Sequence, residues 1–215
     1  RAEGKLDEAL SAYTEAIRLE PNESAGYVQR AKVYGEKGDL EQAITDFSEA
    51  LRLEPKSATV FALRGATYYT MRDFDKAIAD CSEAVGLHPK DCYAYDIRGR
   101  AYTEKGELDK AIADLSKAIR IEPRCASAYW SRGCAYHIKG ELDKAIADLS
   151  EAIRLGMKDA SLYIKRAATY ADRGDRDKAI ADFTEAIRLD PKSPVGYCGR
   201  GRIYSEKNEF AKAIS

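Results

Sequence analysis

GELDKAIADLSKAIRIEP at 106–123 and GDRDKAIADFTEAIRLDP at 174–191 are one sentence written twice. The same pattern surrounds Pro21, Pro55, Pro89, Pro123 and Pro191, whose spacings are all multiples of 34 residues; Met157 fills the one vacant slot. Self-similarity at a fixed period of this size predicts a repeat array. In such an array each unit packs on its neighbours, so the core is continuous along the chain rather than central.

Counting each unit so that proline is its thirty-second residue gives five full units: 24–57, 58–91, 92–125, 126–159 and 160–193. Residues 1–23 read as the tail of an earlier unit and 194–215 as the start of another, so 1–215 reads as a single array. In the unit 92–125, Tyr95, Gly99, Ala101 and Tyr102 form an apolar stripe for one helix. Leu108, Ala111, Ile112, Leu115, Ala118, Ile119 and Ile121 form a wider stripe for a second. Gly106 stands between them as a left-handed helix stop. The stop recurs as Gly4, Gly38, Gly140 and Gly174, with Asn208 in the last unit. Arg72 holds the slot in the unit 58–91, so that turn is expected to differ or to be strained. Helices this short, about 13 residues, are marginal alone in water, so packing must stabilise them. Ala31, Gly65, Gly99, Gly133, Ala167 and Gly201 mark close approaches on the first helices. Ala43, Ala77, Ala111, Ala145 and Ala179 do so on the second, as do Ala50, Ala84, Ala118, Ala152 and Ala186.

An aromatic residue, Gly/Ala four on, Tyr three later, then Ala, a large apolar residue, Ala and Pro: this order resembles the tetratricopeptide repeat (TPR) over essentially the whole chain. Two departures are systematic. The first aromatic is Tyr or Phe (Tyr27, Phe61, Tyr95, Tyr129, Tyr163, Tyr197), where the family often has Trp. The slot after it that is often Leu is Arg throughout (Arg30, Arg64, Arg98, Arg132, Arg166, Arg200). The resemblance implies an all-α solenoid, a right-handed superhelix of antiparallel helix pairs whose first helices line a concave groove. The arginines are framed by packing residues, and an aspartate recurs in the second helix (Asp46, Asp80, Asp114, Asp148, Asp182). Structural Arg–Asp pairs are therefore expected rather than a phosphate-binding ladder.

Lys+Arg number 35 and Asp+Glu 36, a net charge of -1, which argues against nucleic acid or an anionic membrane as a partner. No apolar run approaches the roughly 20 residues of a membrane span. Five cysteines without a CxxC pair read as thiols in a reducing compartment, which points to the cytoplasm. With only His88 and His137 to join them, no metal site is expected, and no cofactor motif is present. The chain opens without Met and inside a repeat, which reads as a fragment.

Identical units cannot specify one partner, so the ligand should be read where units differ. Tyr69, Tyr93 and Trp130, the single tryptophan, have no template duty. Helical phase puts them on the groove side of the first helices, together with Lys32, Leu63, Asp96, Ile97, Arg100, Cys134, His137, Ile164, Lys165 and Arg202. An apolar, aromatic middle with charges of both signs around it has the composition of an interface. Some family members grip a peptide's C-terminal carboxylate with Asn and Lys; the only two asparagines here, Asn22 and Asn208, lie off this face, which argues against that mode.

The expected function is a non-catalytic scaffold that holds a partner peptide or helix in the groove. The alternative is head-to-tail self-assembly through apolar ends (Leu10, Ile17, Ala213). A lesser one is a regulatory segment of a larger enzyme. No nucleophile–base pair, phosphate loop or paired carboxylates stand outside the repeat pattern.

Overall fold

The computed structural model describes residues 2–206, and the regular structure among them is entirely α-helical. In order these are α1 (Ala2–Leu19), α2 (Ser24–Lys37), α3 (Leu40–Leu53), α4 (Ala58–Thr70), α5 (Phe74–Leu87) and α6 (Cys92–Glu104). They continue with α7 (Leu108–Ile121), α8 (Ala126–Lys139), α9 (Leu142–Arg154), α10 (Ala160–Arg173), α11 (Arg176–Leu189) and α12 (Pro194–Glu206). Asn208 and Ala213 lie outside the described residues. The chain divides into two compact bodies, residues 1–107 with α1–α6 and residues 108–215 with α7–α12.

Within each body, neighbouring helices in sequence pack as hairpins. The tightest pairs are α2 with α3 and α4 with α5 in the first body, and α8 with α9 and α10 with α11 in the second. Alternate helices also lie side by side: α4 with α6, and α10 with both α8 and α12.

The turns follow from backbone conformation. Gly38, Gly140 and Gly174 end α2, α8 and α10 in the left-handed region. Each is closed by a bond from the next residue back into the helix, as from Asp39 N–H to the Tyr34 carbonyl at 2.9 Å. After α4 the left-handed residue is Arg72, at φ 63. The closing bond from Asp73 to Tyr68 is kept at 2.9 Å, so the turn has the same geometry but carries a side chain that strains it. Gly4 does not fit its expected role. It sits inside α1. At 156–157, where Met157 stands in the proline slot, the turn is closed. Gly156 takes φ 98, Met157 N–H reaches the Ala152 carbonyl at 3.2 Å, and Met157 packs on Leu149, Ala152 and Leu162. The helix simply ends one residue early and is closed there.

Packing is set by the small residues. Ala43, Ala77, Ala111, Ala145 and Ala179 are all 0 % exposed. A Cβ on Gly133 would stand 2.8 Å from Leu149 Cγ and 3.2 Å from the Ala145 carbonyl oxygen. One on Gly65 would stand 2.7 Å from Cys81 Sγ. Gly199 is a further close approach: its Cβ would enter the Phe183 ring at 2.3 Å. The sequence pattern missed it, since the same slot elsewhere holds Gln29, Leu63, Ile97, Ser131 and Lys165.

The arginines join three helices at once. Arg132 gives Nε to Asp148 Oδ2 at 2.7 Å and Nη2 to Oδ1 at 2.8 Å, a bidentate pair between α8 and α9. Its Nη1 reaches back to Ser116 on α7 at 2.9 Å. Tyr129 and Tyr136 lie against the guanidinium at 5.8 and 5.7 Å. The arrangement repeats at Arg30 with Asp46 and Thr14, at Arg64 with Asp80 and Ser48, and at Arg166 with Asp182 and Ser150. The expected structural Arg–Asp pairs are thus formed. On the surface, a cation ending a first helix meets an acid of the preceding second helix: Lys37 with Asp7, Lys105 with Asp75, Lys139 with Asp109 and Arg173 with Asp143. Such exposed pairs add little stability.

Chemical denaturation should separate these glycine positions. Gly133→Ala is expected to cost about 1–3 kcal/mol through overpacking. Gly86→Ala, at an exposed helical site with nothing within 4 Å, should stabilise by up to about 1 kcal/mol. Arg72→Gly should stabilise by about 1 kcal/mol by relieving the left-handed backbone.

Candidate functional site

Small residues facing the hairpin interior leave the larger, variable residues of the first helices on the other side. In the first body this side carries a hollow of about 370 Å³. Lys32 and Glu36 come from α2, Leu63 and Thr67 from α4, and Tyr93 from α6, over a floor that includes Phe47. Three of the expected site residues, Lys32, Leu63 and Tyr93, are therefore brought together. Tyr93 is 46 % exposed, yet burial around its hydroxyl pushes the phenol above its ordinary range.

Tyr69 stands apart from this hollow. Its ring carries the Arg100 guanidinium at 4.5 Å and lies 5.7 Å from Phe74. Arg100 Nε is buried without a hydrogen bond, so the Tyr69 face is what holds that guanidinium. Asp96 and Ile97 are 4 % and 3 % exposed. Helical phase does not report depth, and as they stand both are buried and present little surface to a partner.

In the second body two hollows adjoin. The larger, about 690 Å³, is lined by Trp130 on α8, by Lys158, Ile164 and Lys165 in and before α10, and by Asp190 and Val195 at the α11–α12 turn. The other, about 440 Å³, shares Ile164 and Val195 and adds Ala168, Phe183, Cys198 and Arg202. Trp130, Ile164 and Lys165 thus share one hollow, and Ile164 and Val195 also line the one that holds Arg202. Trp130 is half-buried against Leu149 and Leu162, and its Nε1–H is buried with no acceptor. Cys134 is half-buried on the same helix.

His137 is fixed by residues the sequence reading did not single out. Its Nδ1 lies 3.0 Å from Thr169 Oγ1, and its Nε2 lies 3.6 Å from Asp172 Oδ2. Thr169 is fully buried and also donates to the Lys165 carbonyl at 2.8 Å. The signal was weak, since the slot holds Val33, Ala101, Ala135 and Ile203 in four repeats but Thr67 in a fifth. Burial holds the imidazole below its ordinary pKa; the Lys165 charge adds to this and Asp172 opposes it. Among the described residues, no three His, Cys, Asp or Glu side chains gather as metal ligands would, and no helix is long and apolar enough to cross a membrane.

The lowered His137 pKa has a stability consequence. The unfolded chain takes up this proton at higher pH than the folded one, so acid favours unfolding. The His137 contribution is intact above about pH 6.5 and is lost as pH falls below it. The Tm of wild type minus that of His137→Gln should therefore be lower at pH 5 than at pH 8. A difference independent of pH would contradict this.

Similarity to known proteins agrees with the geometry. Family models described as TPR repeat match residues 31–71, 99–139 and 167–208. Models described as tetratricopeptide repeat match 12–45, 58–91 and 126–155. No curated protein sequence matches. Among solved structures, a chain of the APC/C hetero-tetramer Cut9-Hcn1 superposes with a TM-score of 0.84 at 19 % identity, over 93 % of this chain and 40 % of that one. The present chain therefore spans well under half of that relative. A tetratricopeptide repeat protein from Parabacteroides merdae superposes with a TM-score of 0.78 at 22 % identity, over 99 % and 84 % of the two chains. YrrB, described as a TPR protein with an unusual peptide-binding site, gives 0.66 at 20 % identity over 91 % and 98 %. At these identities the structures speak for the fold alone, whereas the family models cover more than half of the sequence: the chain belongs to the tetratricopeptide repeat family.

Proposed function

We propose that this chain is a non-catalytic protein-interaction scaffold whose first-helix faces hold a segment of a partner protein. The observation that carries the reading is the lining of the second body's hollows. Trp130 and Ile164 are large apolar residues with no repeat duty; they pack on the core from one side and line a concavity on the other. A peptide side chain entering there would remove apolar surface from water on both partners. An aromatic residue in a concave, partly desolvated setting is the usual kind of binding hot spot. The hollow of Lys32, Leu63 and Tyr93 in the first body is a second seat of the same character. That YrrB is described as having a peptide-binding site is consistent with the reading.

The test is a peptide-library screen with wild type and Trp130→Ala in parallel, each checked for intact helicity. Trp130→Ala is expected to weaken the recovered binders by about 2 kcal/mol or more. Binders indifferent to the substitution would move the site elsewhere.

A further inference from the structure

The hollows of the second body are apolar in the middle and charged at the edge. Lys158, Lys165, Asp159 and Asp190 line the larger one and Arg202 the smaller. The two carboxylates are turned to backbone N–H groups rather than to a lysine. Asp159 accepts a hydrogen bond from the Ser161 backbone N–H at 2.7 Å, which holds its carboxyl below the usual range. Asp190 accepts from the Lys192 N–H at 3.2 Å. Among the described residues, neither Lys158 nor Lys165 has an acidic side chain within ion-pair distance, and Arg202 reaches only Glu206, at 4.0 Å. The surface pairs on the opposite edge of the helices are much tighter, for example Lys139 with Asp109 at 2.7 Å.

Lys165 is also off the template. Its slot holds Gln29, Leu63, Ile97, Ser131 and Gly199 in the other repeats, so no packing role calls for a cation there. It is half-buried beside Trp130 and Ile164, where an opposite charge is screened less than at an open surface.

We infer that the second body selects partner segments in which an acidic side chain lies within a few residues of an aliphatic or aromatic one. The apolar residue enters the hollow at Ile164 and Val195, and the carboxylate meets the Lys165 ammonium, with Lys158 and Arg202 adding attraction at either end. Recognition is of an internal side chain and needs no free C-terminus. The inference rests on the scaffold reading above.

The experiment selects from a displayed library of random 12-mer peptides whose C-termini are blocked by the display fusion. Wild type, Lys165→Glu and Trp130→Ala are compared. Wild type should enrich Asp and Glu over Lys and Arg within three positions of an enriched apolar residue. Lys165→Glu should reverse that preference and lose at least tenfold in affinity for a wild-type binder, with circular dichroism unchanged. Binders that depend on Trp130 but show no acidic preference, or a preference that survives Lys165→Glu, would overturn the charge inference and leave the scaffold reading standing. Binding that is unaffected by Trp130→Ala would overturn the charge inference and move the scaffold's binding site elsewhere.

Discussion

The arginine held between two aspartate oxygens and a serine is the interaction on which the rest depends. Each of these helices is too short to persist alone in water. Arg132 fixes α8 against α9 through Asp148 and against α7 through Ser116, so one side chain sets the position of a helix within its own hairpin and on the preceding one. Asp148 is 7 % exposed, and a buried carboxylate is tolerable only while its partner is present. Tyr129 and Tyr136 line the guanidinium and limit its access to water. The geometry is repeated with nearly the same distances at Arg30, Arg64 and Arg166, which is what a 34-residue period in sequence should produce.

This constraint also explains where binding chemistry is found. The repeated arginines are committed inside the hairpins, with Nε, Nη1 and Nη2 each bonded to a neighbouring helix. The alanines and Gly133 are committed to close approach. The residues left to vary lie on the open side of the first helices, and that is where Trp130, Ile164, Lys165 and Tyr93 stand. A repeat array separates the two duties by helix face: invariant slots hold the scaffold, and variable slots carry the information about a partner.

Much of the fold was legible because repetition turns weak local signals into strong ones. Gly38, Gly140 and Gly174 announced their turns, and the recurring Arg and Asp announced their pairs. Reading failed where a residue acts through one neighbour only. Gly199 recurs in no series, and only the Phe183 ring beneath it shows why it is small. Thr169 reads as one more helical residue until His137 is placed 3.0 Å away. Ile97 and Asp96 were expected on the groove face but are buried, because helical phase does not report how far solvent reaches. Gly156-Met157 interrupts the proline series, but an early helix stop and a methionine on the core make it a closed turn.

The most direct test of the account is a double-mutant cycle at Arg132 and Asp148, using Arg132→Met, Asp148→Leu and both together, read by reversible chemical denaturation. The account predicts that each single change costs about 3 kcal/mol or more, because each strands a buried polar partner, and that the double variant recovers much of the loss, giving a coupling of about 2 kcal/mol or more. Single costs that add to within about 0.5 kcal/mol would contradict it, and would mean that the helices are positioned by apolar packing alone.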